Sequence, residues 1–277
     1  MPDVTFRDIQ KGLRELGLGP GSRLIVHAAL PAIGPVRGGA ESLVGALTAL
    51  GGLVLMPVFT PQCRVWPRVG PADNAATYAG HDDENAAAEI FRPNLPADVS
   101  QGPAAEALRH VAGAVRSLHP LYSFVALGLG ADRAMAAQSL AEPLGPIAHL
   151  ADTEPGADVL LLGADQTANV AIHEGERRAG RKQFIRWALT PKGAVELAGC
   201  PGCPDGFNAL IHHLRPISRV TQIGNARVER LPLRELLATV ETLIRRDPTA
   251  LLCARPGCER CGAVRTVLAS LTSAAPI

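Results

Sequence analysis

Residues 158–176 read DVLLLGADQTANVAIHEGE, and the rest of the chain is organised around this stretch. The run Val159, Leu160, Leu161, Leu162 is too short for a helix and stops at Gly163, the pattern of a strand buried on both faces. A polar loop follows, in which Asn169 is placed to cap a helix that carries His173, Glu174 and Glu176 near its start. Open α/β sheets bind ligands in the loops beyond the carboxyl ends of such strands, so His173 is presented where chemistry takes place. Glu176, three residues on, shares its helical face and can orient the imidazole or hold its proton. The residues alone leave the alternative that His173 is an ordinary histidine on a helix surface.

Composition narrows the class. A chain of 277 residues, 47% of them hydrophobic, can bury a large core as a single domain over residues 1–277. A formal charge of +1 gives no global attraction to nucleic acid or to an acidic membrane. The opening MPDVTFRDIQKGLRELGLG lacks the apolar core of a signal peptide, and no window reaches the apolar length of a membrane span. The expectation is a cytoplasmic protein whose six cysteines stay reduced.

Residues 4–18 have apolar positions at helical spacing, and 23–27 (RLIVH) and 53–56 (LVLM) read as strands on either side of a helix over 41–50. This is a βαβ unit, which predicts a mixed, largely parallel central sheet flanked by helices. The intervening loop, AALPAIGPVRGGA, is neither the dinucleotide fingerprint nor a Walker loop. Its glycines can offer bare N–H groups to a phosphate or serve as turns. Residues 58–115 are irregular and proline-rich and carry Asp82, Asp83 and Glu84, either a lid that suits a cationic substrate or a solvated loop. A strand at 123–127 and helices over 133–140 and 146–150 lead into the central strand. Strands at 219–222 and 226–230 around Ile223-Gly224-Asn225 read as a hairpin, followed by a helix over 231–246. The arginines near this end are not interleaved with aromatics, which argues against nucleic-acid binding.

The cysteines form a second constellation. Cys200-Pro-Gly-Cys203 is a C-x2-C knuckle, and Cys253-Ala-Arg-Pro-Gly-Cys258-Glu-Arg-Cys261 holds C-x4-C followed by C-x2-C, in the tail over 247–277. Cys200, Cys203, Cys258 and Cys261 can supply the thiolates of a structural zinc that pins the tail to the body. The separation between the knuckles exceeds that of a zinc ribbon, so buried free thiols are the other reading. Cys63 stands alone, and His212 and His213 face different ways on a helix.

In the same order, LIVHAALPAIGPVRGGAESLVGALTALGGLVLMPVFT, RSLHPLYSFVALG, PLGPIAHLADTEPGADVLLLGADQTANVAIHEGE, FNALI and IGNARV resemble the aminoglycoside 3-N-acetyltransferase family over roughly residues 5–245. The resemblance implies an α/β fold distinct from the GNAT acetyltransferases. It also implies acetyl-CoA as donor and direct transfer to an amine of a polycationic sugar. The family segment N-T-S-x-H-x-x-E corresponds to Asn169 through Glu176. That makes His173 the general base, with Glu176 or Asp165 as orienting carboxylate and Asn169 on the substrate side.

The resemblance places the CoA side of the site at His27, Ala28, Ala29, Leu30 and Gly34. Arg116, His119, Ser123 and Phe124 join them, with Arg116 as a phosphate partner. Hydroxyls found in the family pattern are missing at Ala28, Ala29, Val58, Val170 and Ala171. An oxyanion-hole donor lost there would cost about 2.7–4 kcal/mol unless water, a backbone N–H or Thr60 replaces it. The sequence therefore leaves a non-catalytic scaffold that binds CoA or an aminosugar as the alternative to an acetyltransferase. Both a monomer and a homo-oligomer stay open.

Overall fold

The computed structural model describes residues 3–273; the other six positions, including the last four of the 247–277 tail, lie outside the described residues. Helix α1 (Phe6–Glu15) precedes strand β1 (Arg23–Ala28). The turn α2 (Leu30–Ile33) and helix α3 (Gly39–Thr48) then lead to β2 (Leu53–Pro57), which pairs parallel with β1 as the βαβ reading requires. The stretch after β2 holds β3 (Arg64–Val65), α4 (Asp82–Ala87) and α5 (Gly102–Arg109). Next come β4 (Val115–Arg116), β5 (Phe124–Gly128), α6 (Ala131–Ala136), α7 (Gly145–Thr153), β6 (Ala157–Leu162) and α8 (Ala171–Arg178). The chain closes with β7 (Phe184–Thr190), β8 (Gly193–Cys200), α9 (Ile211–Leu214), the hairpin β9 (Arg219–Ile223) and β10 (Ala226–Pro232), α10 (Leu233–Arg246) and α11 (Glu259–Ser273).

Among the described residues one seven-stranded sheet runs β4-β5-β2-β1-β6-β10-β9, and a three-stranded one runs β3-β7-β8. The three central strands β2, β1 and β6 are parallel, and the strands outside them pair antiparallel. Their apolar runs serve two cores at once, because successive side chains point to opposite faces. Ile25, Leu55, Val159 and Leu161 pack under α6, α7, α8 and α10, whereas Leu24, Val26, Met56 and Leu160 pack under α1, α3 and α5. The sequence reading missed β7 and β8. Phe184, Arg186 and Ala188 alternate buried with half-buried neighbours, a period-two signal in which a buried arginine replaces the usual apolar residue. No helix among the described residues is long and apolar enough to cross a membrane.

Candidate active site

The ends of β1 and β6 lie side by side, with His27 in register with Leu161 and Ala28 with Leu162. Because β2 takes the other flank of β1, the connections leave β1 in opposite directions, and a crevice opens at the carboxyl ends of the strands. A cavity of about 620 Å³ lies there, lined by His27, Ala28, Ala29 and Leu30 from the loop after β1 and by Thr167 and His173 from the loop and helix after β6. Its size falls within the range of small-molecule sites.

Local chemistry sets the entry to α8. Asp165 accepts from the Thr167 N–H at 2.9 Å and the Thr167 hydroxyl at 2.5 Å, which caps the short 3-10 turn Gln166–Ala168. The α-helix begins only at Ala171, with Val170 and not Asn169 at the cap. Asn169 is fully buried and donates to Gln166 Oε1 at 2.9 Å, so it neither caps the helix nor lines the cavity. Midway along α8, Gly175 lies against Val240 of α10, where a Cβ would come within 2.7 Å of the valine side chain. This close approach seats α8 on the core and holds His173 at the crevice.

His173 is the end of a buried relay. Its Nδ1 lies 2.7 Å from Glu176 Oε2, and Glu176 Oε1 accepts from Arg181 Nη1 at 2.9 Å. Arg181 in turn donates to the carbonyls of Pro248 and Ala250 at 2.9 and 2.7 Å. The side chains are 8%, 4% and 4% exposed, so the interactions are shielded from water. A carboxylate ionised beside a guanidinium only accepts hydrogen bonds. Nδ1 must therefore carry the imidazole proton, which leaves Nε2 with its lone pair. Phe207 packs edge-on to the ring at 4.7 Å and restrains its tilt.

Only part of the predicted constellation converges here. Asp165 does not orient His173; its second oxygen accepts from Asn208 at 2.9 Å. His27 through Leu30 do line the cavity, but the Ala29 N–H is occupied by the Leu162 carbonyl at 2.9 Å. Burial pushes His27 down to about 4. Arg116 does not line the cavity: its guanidinium bonds Ser123 and the carbonyls of Pro93, Leu95 and Val58, tying the chain after β2 to β4 and β5.

Ser123 donates to the Val58 carbonyl, His119 Nδ1 accepts from the N–H groups of Leu121 and Tyr122, and Phe124 is fully buried in the core. Gly34 faces Asn225 of the β9–β10 turn. Gly34, Arg116, His119, Ser123 and Phe124 all lie outside the lining of the cavity. On the substrate side, the buried Thr60 hydroxyl donates to the Pro120 carbonyl at 2.8 Å and cannot replace a lost hydroxyl. Asp82, Asp83 and Glu84 form the exposed first turn of α4, outside the cavity.

Sequence reasoning missed Arg181, Phe207, Tyr122 and Arg260. Tyr122 and Arg260 line the cavity, and Arg260 brings a guanidinium to its wall. Arg181 left a trace in the sequence, a cation just past the Gly180 stop of α8 and five residues from Glu176, and Tyr122 and Phe207 lie inside the quoted motifs RSLHPLYSFVALG and FNALI, which do not reveal their place in the site. The cysteine reading needs one change. Sulfur atoms of Cys203, Cys253, Cys258 and Cys261 all lie within 4.8 Å of one another. Cys200 is instead part of the core at the end of β8, its thiol pushed up to about 12 by burial. His212 and His213 are exposed on α9, away from this cluster.

Residues 25–245 match the family model described as aminoglycoside 3-N-acetyltransferase. The chain belongs to the aminoglycoside 3-N-acetyltransferase family. It is 36% identical over 186 residues to aminoglycoside N(3)-acetyltransferase VII of Streptomyces paromomycinus. That match covers 66% of this chain and 64% of the relative. The chain thus spans a little under two thirds of the length of the curated aminoglycoside 3-N-acetyltransferases it first matches. The fold is that of solved members. The aminoglycoside acetyltransferase AAC(3)-IVa superimposes with a TM-score of 0.77 over 96% of this chain and 98% of its own, at 24% identity; that enzyme has also been solved, as a mutant, in complex with a gentamicin. AAC-IIIb, solved as a binary complex with CoASH, gives a TM-score of 0.70 over 88% and 97% at 22% identity.

Proposed function

We propose that this protein transfers the acetyl group of acetyl-CoA directly to an amine of an aminoglycoside-like, cationic substrate in the cytoplasm, with His173 as general base. The observation that carries the reading is the buried His173–Glu176–Arg181 relay ending at the crevice between β1 and β6. An aliphatic ammonium is no nucleophile, so a base with a free lone pair must take its proton before attack. Nε2 of His173 is that base, because Glu176 holds the proton on Nδ1. The freed amine attacks the thioester carbon, the carbon–sulfur bond breaks, the CoA thiolate leaves, and the nitrogen gives its second proton to that thiolate as the amide forms. His173 keeps the first proton until solvent accepts it. Glu176, fixed by Arg181, stabilises the imidazolium that forms.

Ser100, Thr167 and Tyr122 are the hydroxyl-bearing residues lining the cavity; the Thr167 hydroxyl is committed to Asp165, so Ser100 and Tyr122 take the place of the missing family hydroxyls. Arg260, not Arg116, supplies the guanidinium for the phosphates of CoA. Membership of the family and the CoA-bound and gentamicin-bound relatives support this donor and this class of acceptor.

The test is thiol release from acetyl-CoA with a panel of aminoglycosides, alongside calorimetry of CoA binding. His173→Ala is expected to bind CoA as the parent does and to lose turnover. Turnover retained in that variant would place the base elsewhere. Binding without thiol release by the parent protein would support the scaffold reading instead.

A further inference from the structure

We propose that Cys203, Cys253, Cys258 and Cys261 bind one zinc ion through four thiolates, and that this ion fastens the C-terminal segment to the wall of the cavity. The four sulfurs lie within 4.8 Å of one another, whereas a zinc tetrahedron with bonds of about 2.3 Å has edges of roughly 3.8 Å. An inward movement of under about 1 Å along each edge closes the site. The ligands come from three separate places: the loop after β8, the loop after α10 and the first turn of α11. Apart from the cysteines, Leu252 is the apolar residue packed on this cluster, so hydrophobic burial does not explain the convergence.

The backbone is shaped around the four sulfurs. A Cβ at Gly206 would lie 2.2 Å from the Leu251 carbonyl oxygen, so the two ligand-bearing loops meet backbone to backbone. Gly257, at φ +74°, makes the turn before Cys258, and the Cys253 N–H donates to Cys261 Sγ at 3.3 Å. Four thiolates and Zn²⁺ carry a net charge of −2, and guanidinium groups stand where that charge would be. Arg255 Nη2 is 4.0 Å from Cys258 Sγ, and Arg265 donates to the Cys253 carbonyl at 2.6 Å.

What the ion would hold in place is the far wall of the cavity. Cys203 sits among Pro201, Gly202 and Pro204, which line it, and Phe207 N–H donates to the Pro204 carbonyl at 2.9 Å while its ring abuts His173. Arg260, adjacent to Cys261, donates to the Gly202 carbonyl at 2.8 Å and lines the same cavity. The ion takes no part in the proposed transfer, whose base, His173, is oriented by Glu176 and Arg181.

The whole chain, purified without chelator, is expected to hold about one zinc ion by mass spectrometric metal analysis. Cys203→Ser, Cys253→Ser, Cys258→Ser and Cys261→Ser each lose it, while Cys63→Ser and Cys200→Ser keep it. Should the serine variants fail to fold, the parent protein reloaded with Co²⁺ supplies the second readout, an intense thiolate-to-cobalt charge-transfer band. Metal-stripped protein is further expected to be cut by trypsin after Arg260 and Arg265, and the zinc-loaded form to resist. Four freely titrating thiols without metal, a mass showing two disulfides, zinc retained in all four variants, or Co²⁺ without the band would each overturn the site. Zinc content and thiol release are separate measurements, so the metal site and the transfer reaction stand or fall independently.

Discussion

Replacing Glu176 by Gln keeps the shape of the relay and removes its charge. In the parent protein Glu176 and Arg181 are each 4% exposed and 2.9 Å apart. At an effective dielectric of about 20 that separation corresponds to roughly 6 kcal/mol of attraction, much of which offsets the desolvation of both ions. In Glu176→Gln the Arg181 charge stays buried with only the carbonyls of Pro248 and Ala250 as partners. The expected loss of stability is about 3–5 kcal/mol, read as a lower urea midpoint with unchanged slope. An amide also presents either a donor or an acceptor to Nδ1, so the imidazole is no longer held in the Nε2-basic tautomer, and kcat should fall by about 10²–10⁴. Adding Arg181→Leu removes the unpaired charge and should restore part of the stability but none of the activity, which separates the two roles. A Glu176→Gln protein with parental stability and a parental pH–rate profile would refute the relay.

Four further expectations follow from the same geometry. Burial lowers His27 and His119 to about 4 against a usual imidazole value near 6.5, so the unfolded chain binds these protons first. Stability should therefore be flat above about pH 6.5 and decline on acidification toward pH 4 by about 3 kcal/mol per histidine, and urea midpoints unchanged between pH 7 and 5 would contradict it. Gly175→Ala forces a methyl to within 2.7 Å of Val240, at a cost of about 1–3 kcal/mol and a shift of α8 that lowers kcat; Val240→Ala in the same chain should recover only part of either, because the Cβ of residue 240 is itself 2.7 Å from that methyl. Arg260→Ala should raise KM for acetyl-CoA about tenfold with kcat little changed. Arg116→Met should instead lower the thermal midpoint without changing KM.

The sequence alone determined the βαβ start, the buried strand at 159–162 and the placing of Glu176 on the helical face of His173, because apolar runs and three-residue helical spacing are local signals; the structure decided between Glu176 and Asp165 as its partner. Membership of the family was legible for the same reason, since ordered motifs survive along the chain even where hydroxyls are replaced. The sequence could not distinguish polar residues that face the cavity from those that bind backbone. Arg116, Ser123, His119 and Thr60 match or adjoin family motifs, yet their hydrogen bonds close on carbonyls and N–H groups within the protein.

Nor could spacing show which cysteine joins Cys203, Cys258 and Cys261. Cys200 is nearest to Cys203 in sequence but ends a strand pointing into the core, while Cys253 arrives from the end of α10. Arg181 and Arg260 entered the site in the same way, through contacts that bring together residues from distant parts of the chain, and only the tertiary structure decides which distant residues share a wall.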